Sequence, residues 1–152
     1  IGFCLVGSEM CIRDSVCGTQ NAHSTELADE GEAFIHYLPD QDDSMDKWGT
    51  MRLGNYEAVL EKWSLIWELY GKSKTATERH RHRYEVITEK HTVLEEYGLK
   101  ISGKSEDGKL AEFIELPGHK YFVATQAHPE FTSRPSRPNP LFDGLIKAAI
   151  TS

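Results

Sequence analysis

The stretch "KYFVATQAHPEF" (residues 120–131) decides the fold prediction, because an apolar run ends there at a polar pair. The run is typical of a strand buried in the middle of a sheet. His128 and Glu130 are two positions apart, so in an extended chain their side chains point the same way. A carboxylate can then orient one imidazole nitrogen while the other accepts a proton, which is two thirds of a nucleophilic triad. The plainer interpretation is a surface histidine beside a surface glutamate, but α/β sheets bind ligands at this edge.

The segments around this stretch alternate between strand and helix patterns, which predicts an α/β fold. "TMRLGNYEAVL" (50–60) indicates an extended chain interrupted at Gly54, and "KWSLIWELYG" (62–71) a short helix ending at Gly71. The apolar stripe of that helix, predicted to face the core, consists of Trp63, Ile66, Trp67 and Tyr70. The other predicted elements are a strand at 34–38, a helix within 87–100 that carries Val93, Leu94 and Tyr97 on one side and Gly98 as C-cap, two alternating stretches at 99–108 and 110–118, and a helix at 141–150.

Length and charge limit the class of protein. The 152 residues fit one domain with a substantial core. Lys and Arg total 17 against 24 Asp and Glu, a net charge of −7, so neither nucleic acid nor a membrane surface is predicted as a partner. No apolar run approaches the roughly 18 residues that span a bilayer, and the first residues do not form a secretory signal. These features predict a cytoplasmic protein.

The motif "ERHRHRYEV" (78–86) concentrates charge. With a period of two, one face carries Glu78, His80, His82 and Tyr84, and the other carries Arg79, Arg81, Arg83 and Glu85. Three guanidinium groups on one face could bind a carboxylate or phosphate ligand bidentately, or pair with the acidic remainder of the domain. RNA binding is disfavoured, because aromatic residues hardly interleave with the basic ones and the chain is acidic.

No metal site is predicted. A zinc site built on His80 and His82 would need further ligands, and no cysteine is nearby. The acidic loop "PDQDDSMDKWG" (39–49) lacks the glycine and terminal glutamate of the twelve-residue calcium loop.

Five motifs occur in a characteristic order: "NAHSTE" (21–26), "GTMRLG" (49–54), "ERHRHRYEV" (78–86), "FVATQAHPEFTSRP" (122–135) and "PLFDGLIKAA" (140–149). Together they resemble the C-terminal glutamine amidotransferase domain of the CTP synthase family, from about Val16 to the end of the chain. The resemblance implies a class I glutaminase with a partial flavodoxin-like α/β fold, in which helices flank a mixed, mostly parallel central sheet.

The resemblance also implies roles for four residues in a glutaminase that uses a Cys-His-Glu triad. His128 matches the catalytic histidine and Glu130 the glutamate that orients it. Glu26 matches the acidic residue that holds the amino group of glutamine, and Arg83 the arginine that holds its α-carboxylate. One fixed anion and one fork of donors suit a zwitterionic amino acid.

Cofactors and partners follow from the same resemblance. It implies no cofactor in this chain, and glutamine as its substrate. An N-terminal synthase domain of the same protein would receive the ammonia and use ATP and magnesium to aminate UTP to CTP, in a homotetramer. GTP would activate the full enzyme through a lid that includes the loop before "GTMRLG". Here Trp48 stands where the family has glycine, which places lid flexibility in doubt, and His23 replaces an asparagine beside Glu26.

The opening "IGFCLVGSEMCIRDS" (1–15) contains the candidate nucleophile Cys4. The family's cysteine lies in an elbow between a buried strand and a helix, which exposes its sulfur beside oxyanion-hole donors. Without gaps the alignment places the nucleophile at Gly2, and no strand precedes Cys4. "LVGSEMCIRDS" also resembles a translated sequencing-library adapter. We therefore predict that residues 1–15 are not native, and that residues 16–152 are the C-terminal part of an amidotransferase domain.

Cys17 is no substitute, because it falls where the family carries an ordinary apolar residue. Two alternatives remain open. The chain could be a non-catalytic amidotransferase-like module that binds glutamine or a nucleotide, or a class I amidotransferase with another acceptor. "GTMRLG" and "ERHRHRYEV" disfavour the latter by resemblance, and the sequence that encodes the region before Val16 would distinguish the former.

We expect the chain by itself not to hydrolyse glutamine, because its register provides no nucleophile. A glutaminase assay measures this directly. Turnover that disappears in Cys4→Ala would show instead that Cys4 is a working nucleophile.

Overall fold

The computed structural model describes residues 22–24, 32–37, 51–86 and 88–151, which form two sheets and three helices. The strands are β1 (Ala22–Ser24), β2 (Glu32–Tyr37), β3 (Arg52–Leu60), β4 (Thr75–His82), β5 (Tyr84–Val86), β6 (Lys100–Ser105), β7 (Ala111–Glu115) and β8 (Val123–Thr125). The helices are α1 (Leu65–Leu69), α2 (His91–Glu96) and α3 (Pro140–Ile150), and 3₁₀ turns occur at Thr88–Lys90 and Pro129–Phe131. The predicted alternation of strands and helices is thus confirmed.

The sheets differ from the predicted one. The larger sheet has the order β4-β3-β6-β7-β8, and every neighbouring pair in it is antiparallel. The smaller sheet has the order β1-β2-β5, in which β1 and β2 are parallel. The expectation of a mostly parallel sheet is therefore wrong for the described strands. The physical reason is the length of the connections: residues 106–110 join β6 to β7, whereas a parallel pair needs a crossover of roughly a dozen residues or more.

Strand β3 is continuous through Gly54, contrary to the predicted interruption. Gly54 has φ +130° and still pairs with His80 of β4. A glycine tolerates this backbone conformation without a Cβ penalty, so the ladder continues on both sides of it.

Strand β8 does not lie in the middle of the larger sheet, as its apolar run predicted. It is only three residues long and pairs with β7 alone among the described strands. Its side chains are nevertheless buried, so the apolar run predicts burial correctly but the position of the strand in the sheet incorrectly. Beyond Thr125 the chain leaves the ladder and enters the loop that carries His128.

Apolar side chains pack on both faces of the larger sheet. On β7 the neighbours Phe113 and Ile114 point to opposite faces, which places them in different core clusters. One cluster comprises Val86, Leu94, Leu99, Ile101, Ala111, Ile114 and Ala124, and the other Ala58, Leu60, Ile66, Ala76, Phe113, Val123 and Leu141. The first lies beneath α2 and the second beneath α1 and α3, so the described domain is layered as helix, sheet and helix.

The predicted stripe of α1 is only partly correct. Ile66 is fully buried, and Trp67 and Tyr70 pack against the core. Trp63 is 81% exposed and has φ +68°, because it lies in the turn before the helix and not on its apolar face. Gly71, with φ +67°, ends the helix as predicted.

Buried Glu115 of β7 fixes the start of α1. Its carboxylate accepts hydrogen bonds from the N–H groups of Leu65 and Ile66, both at 3.2 Å. The hydroxyl of Ser64 accepts another from the Trp67 N–H at 3.0 Å, so three N–H groups of the first turn are satisfied.

The other two helices follow their sequence signals. Leu94 of α2 is buried and Gly98, at φ +89°, caps the helix as predicted, but Tyr97 is 47% exposed and not on the buried side. The side chain of Asn139 caps α3 by accepting the Leu141 N–H at 3.0 Å. None of the helices among the described residues is long and apolar enough to cross a bilayer.

Gly103 of β6 provides a test of core packing. A Cβ at this position would approach Phe113 Cδ2 to 2.5 Å and Leu60 Cδ2 to 3.3 Å, and both are buried. We expect Gly103→Ala to lower the free energy of unfolding by roughly 1–3 kcal/mol, because the core must shift to admit the methyl group. Chemical denaturation measures the change.

The matched control is Glu106→Ala, at an exposed position just beyond the same strand. It should stay within about 0.5 kcal/mol of the parent. An equal loss in both variants would contradict the packing argument.

Candidate functional site

Hydrogen bonds of the Thr125 hydroxyl and of the backbone set the position of His128 beyond β8. The Thr125 hydroxyl donates to the Glu112 carbonyl at 2.9 Å and accepts the Ala127 N–H at 3.0 Å. The His128 N–H then donates to the Arg79 carbonyl of β4 at 2.7 Å. The loop that follows β8 is therefore held against β4, a strand at the other end of the larger sheet's order.

His128 and Glu130 lie in direct contact. Nδ1 of His128 is 2.7 Å from Oε1 of Glu130. The backbone that brings them together is the 3₁₀ turn Pro129–Phe131 and not the extended chain assumed from the spacing. An ionised carboxylate only accepts hydrogen bonds, so Nδ1 carries the proton and Nε2 of the neutral ring is left as the acceptor.

Both side chains remain accessible to a ligand. The exposed fraction is 31% for His128 and 54% for Glu130. The Phe131 ring packs against the imidazole, with 5.3 Å between ring centroids. Because water competes for a hydrogen bond this exposed, it contributes little to stability, and the contact serves to orient the imidazole.

Arg83 lies between β4 and β5, where the chain passes from the larger sheet to the smaller one. Its side chain is half-buried. The ring Nδ1 of His82 donates to the Tyr84 carbonyl at 3.0 Å and so spans Arg83. Arg83 thus directly follows β4, the strand whose Arg79 carbonyl accepts the His128 N–H.

Other predicted positions lie outside the described residues. Glu26, Trp48, the acidic loop at 39–49 and the three cysteines of the chain belong to this group. The role of Glu26 therefore stays a prediction. His23 lies in β1, where it pairs with Ala33 of β2.

The predicted alternation along "ERHRHRYEV" holds only through β4. Glu78 and His80 are buried, and Arg79 and Arg81 are exposed. Arg83 does not continue the exposed face with Glu85, which is buried. The bend between β4 and β5 shifts the period, because β5 pairs with β2 of the other sheet. The predicted face is therefore wrong at Glu85, and Arg83 is half-buried where Arg79 and Arg81 are exposed.

The inner face of β4 belongs to a buried polar cluster. The Arg52 guanidinium forms an ion pair with Glu112, at 2.5 Å between Nη2 and Oε1. His80 Nδ1 lies 3.0 Å from His82 Nε2, and His80 Nε2 lies 3.4 Å from Glu112 Oε2. Within the part of the chain that the structure describes, no three His, Cys, Asp and Glu side chains are grouped to hold a metal ion.

Burial keeps both imidazoles neutral. Desolvation, with the Arg52 charge as a further cause, lowers the pKa of His80 to about 3, and desolvation lowers the pKa of His82 to about 4. The Tyr84 carbonyl requires a proton on His82 Nδ1, so His82 Nε2 accepts the proton of His80 Nδ1. His80 Nε2 then carries no proton, so His80 does not donate a hydrogen bond to Glu112.

Glu85 forms a second buried polar contact. Its Oε1 accepts the side-chain N–H of Gln126 at 3.0 Å and the backbone N–H of Val86 at 3.2 Å. Desolvation raises the pKa of Glu85 to about 8. Desolvation also raises the pKa of Glu112, although Arg52 opposes the shift.

Sequence reasoning missed Arg52, Glu112 and Gln126. One signal was available: the strand "AEFIE" (111–115) carries two glutamates within an otherwise apolar run. All five of its residues are buried, and a buried glutamate requires a partner. The identity of that partner depends on strand pairing, which the sequence does not display.

A cavity of about 330 Å³ opens beside the site. It is lined by Met51, Leu53, Arg79, Arg81 and Phe131. Phe131, which lines it, also packs against the His128 ring. Two guanidinium groups and apolar side chains together suit a ligand with an anionic part and a flat apolar part.

Comparison with known proteins gives a consistent family. A model of class I glutamine amidotransferases matches residues 24–148. The chain is 57% identical over 157 residues to CTP synthase of Methanococcus aeolicus, with 99% of this chain and 28% of that protein covered. It is 58% identical over 154 residues to CTP synthase of Methanococcus maripaludis, with the same coverage. The chain thus spans about 28% of the length of these curated relatives.

A solved structure resembles the chain as well. It is the glutaminase domain of Trypanosoma brucei CTPS with bound acivicin, at a TM-score of 0.83 and 32% identity. The match covers 93% of this chain and 55% of that one. The predicted class I amidotransferase fold is therefore confirmed.

The raised pKa of Glu85 predicts a pH dependence of stability. The folded state keeps the Glu85 proton up to about pH 8, whereas the unfolded chain releases it near its ordinary pKa of 4.5. Stability from this group is complete below pH 4.5 and is lost as the pH rises through 8. The three histidines whose pKa is lowered by desolvation, His80, His82 and His91, act in the opposite direction, but only below about pH 6.5. We therefore expect Glu85 to lower the free energy of unfolding by roughly 1.5 kcal/mol between pH 6.5 and 8.

Glu85→Gln isolates this effect, because a glutamine can accept the same hydrogen bonds without titrating. Urea unfolding of both proteins at pH 6.5 and pH 8 measures it. An equal change in the free energy of unfolding between pH 6.5 and pH 8 in the parent and the variant would contradict the assignment.

Proposed function

The chain belongs to the class I glutamine amidotransferase family, and on that premise we propose that it provides the glutaminase part of a CTP synthase. In this proposal glutamine is hydrolysed to glutamate and ammonia. The ammonia passes to an N-terminal synthase domain of the same protein, which uses ATP and magnesium to aminate UTP to CTP in the cytoplasm. The alternative of a non-catalytic binding module differs in one respect, the absence of turnover.

The orientation of His128 is the observation that carries the proposal. Its Nδ1–H is held by Glu130 at 2.7 Å, and its Nε2 is left to accept a proton beside an accessible surface. This is the arrangement that a thiol nucleophile needs from its general base. The relatives named CTP synthase support the same reaction.

In the proposed reaction His128 acts first as a general base. His128 Nε2 takes the proton of a cysteine thiol, and the sulfur attacks the side-chain amide carbon of glutamine. The imidazolium gives that proton to the departing nitrogen, so the C–N bond breaks and ammonia leaves. Water then cleaves the thioester to release glutamate and the thiol. All three cysteines lie outside the described residues, so the inactivity of the isolated chain remains a prediction.

Substrate binding is assigned to two charged residues. Arg83 would hold the α-carboxylate of glutamine with its guanidinium fork, and half-burial strengthens such a contact relative to water. Glu26 would hold the amino group. The position of Arg83 at the junction of the two sheets supports its part, because backbone contacts on both sides fix that junction.

GTP activation and assembly as a homotetramer complete the proposal for the whole enzyme. The cavity lined by Met51, Leu53, Arg79, Arg81 and Phe131 supports a regulatory nucleotide. Two guanidinium groups suit phosphates, and the apolar lining suits a base. Since Phe131 also touches the His128 ring, a ligand in this cavity would contact the neighbour of the catalytic base.

Substitution of His128 in the complete enzyme tests the proposal. We expect His128→Asn to lower glutamine-dependent CTP formation by roughly 10²- to 10⁴-fold, because the general base is lost. CTP formation from added ammonia should persist, since ammonia bypasses the glutaminase step. Coupled assays with the two nitrogen sources measure both rates.

The matched control is His119→Asn, which replaces an exposed histidine that precedes β8 in the chain. It should leave both rates unchanged. A parent enzyme that binds glutamine without hydrolysing it would favour the non-catalytic module.

A further inference from the structure

The carboxylate of Glu78 is buried at the centre of three hydrogen bonds. The side chain is 4% exposed. Its Oε1 accepts from the Tyr70 hydroxyl at 2.7 Å and from the Asn139 amide at 2.6 Å. Its Oε2 accepts from the Thr132 hydroxyl at 2.7 Å. All three donors are neutral, so hydrogen bonds replace the hydration that this carboxylate loses on burial.

Two of the three donors come from the loop that carries the catalytic pair. Thr132 and Asn139 follow Glu130, and the Asn139 amide also donates to the Thr132 hydroxyl at 3.0 Å. The third donor, Tyr70, follows α1 and has no part in this loop. The carboxylate thus connects the catalytic loop to a helix on one face of the sheet.

The loop is fixed to β4 at adjacent residues. The His128 N–H binds the Arg79 carbonyl at 2.7 Å, and Thr132 binds the side chain of Glu78. Between these anchors the Phe131 N–H donates to the His128 carbonyl at 3.1 Å and the Thr132 N–H to the Pro129 carbonyl at 3.2 Å. A short turn closed by such bonds transmits the position of its last residue to its first.

The catalytic pair cannot hold this geometry unaided. Glu130 is 54% exposed, and a hydrogen bond for which water competes so freely has a small net free energy. The orientation of the imidazole must therefore depend on where the backbone of the turn is held. The buried bonds of Glu78 hold one end of it.

We propose that Glu78 is a positioning residue for the glutaminase reaction: through Thr132 and Asn139 it holds the turn that orients His128 and Glu130. This inference rests on the proposed function for its catalytic consequence. The geometric part, the orientation of His128 by a remote carboxylate, stands without it.

Two single-hydroxyl deletions around the same carboxylate make a matched test. Thr132→Val removes the donor from the catalytic loop, and Tyr70→Phe removes the donor from the helix side. Both leave a buried carboxylate short of one hydrogen bond, so both lower stability. Only Thr132→Val releases the turn, and Thr132→Ser restores a hydroxyl as the rescue variant.

The first readout is the tautomer of His128, obtained from the ring-nitrogen chemical shifts of the chain at a pH where the ring is neutral. The signal is assigned by its loss in His128→Asn. We expect the Nδ1–H form in the parent, in Tyr70→Phe and in Thr132→Ser, and a shift toward the Nε2–H form in Thr132→Val. An unchanged tautomer in Thr132→Val, or an equal shift in Tyr70→Phe, would overturn the proposal.

The second readout is steady-state glutaminase kinetics in the complete enzyme. We expect Thr132→Val to lower kcat by roughly 10- to 100-fold with little change in KM, because the base is misplaced while Arg83 is not. Tyr70→Phe should keep kcat within about threefold of the parent. Equal losses of kcat in the two variants would show that Glu78 has only a structural role. If no enzyme form hydrolyses glutamine, the proposed function fails, and the tautomer measurement still decides the positioning role.

Substitution of Glu78 itself completes the series. Glu78→Gln keeps the shape and can still bind Thr132, whose hydroxyl then turns toward the Pro129 carbonyl at 3.1 Å. Glu78→Met removes every acceptor. The control is Glu115→Met, which removes the buried glutamate that caps α1, away from the site. We expect Glu78→Met to shift the tautomer and Glu78→Gln and Glu115→Met to retain it, and a shift in Glu115→Met alone would contradict the proposal.

Discussion

A carboxylate that leaves water needs donors or a cation in place of its hydration, and this requirement organises the domain. Among the residues that the structure describes, four glutamates are buried: Glu78, Glu85, Glu112 and Glu115. Each reaches a partner far away in the chain, respectively the loop after His128, the side chain of Gln126, the guanidinium of Arg52 and the first turn of α1. Apolar packing forms the layers, and these buried glutamates, with Glu85 in its protonated form, join segments that are distant in the chain.

The parts of this structure that the sequence could predict are those governed by neighbours in the chain. The helix that ends at Gly71 and the cap at Gly98 follow from local backbone preferences and apolar spacing. The contact between His128 and Glu130 is also local, since only Pro129 separates them. Even here the backbone differs from the expected one, because a proline at the first position of a turn favours 3₁₀ geometry over extension.

The remainder depends on contacts between distant segments. The apolar run at β8 reports burial, but burial does not tell an end strand from a central one when helices cover both faces. The expected parallel sheet came from the family resemblance, whereas the described strands are mostly antiparallel. Glu85 is buried, contrary to the predicted alternation, because the chain passes from one sheet to the other at Arg83, and no periodicity within "ERHRHRYEV" encodes that junction.

Alternate residues of strand β4 have different roles. Glu78 and His80 point inward to buried partners, and Arg79 and Arg81 point outward to the cavity beside Phe131. Substitutions at the inward positions therefore change how well the protein folds, whereas substitutions at the outward positions change what the folded protein binds. Ligand preference at this surface can drift over evolutionary time, one outward residue after another, while the scaffold beneath it stays constant.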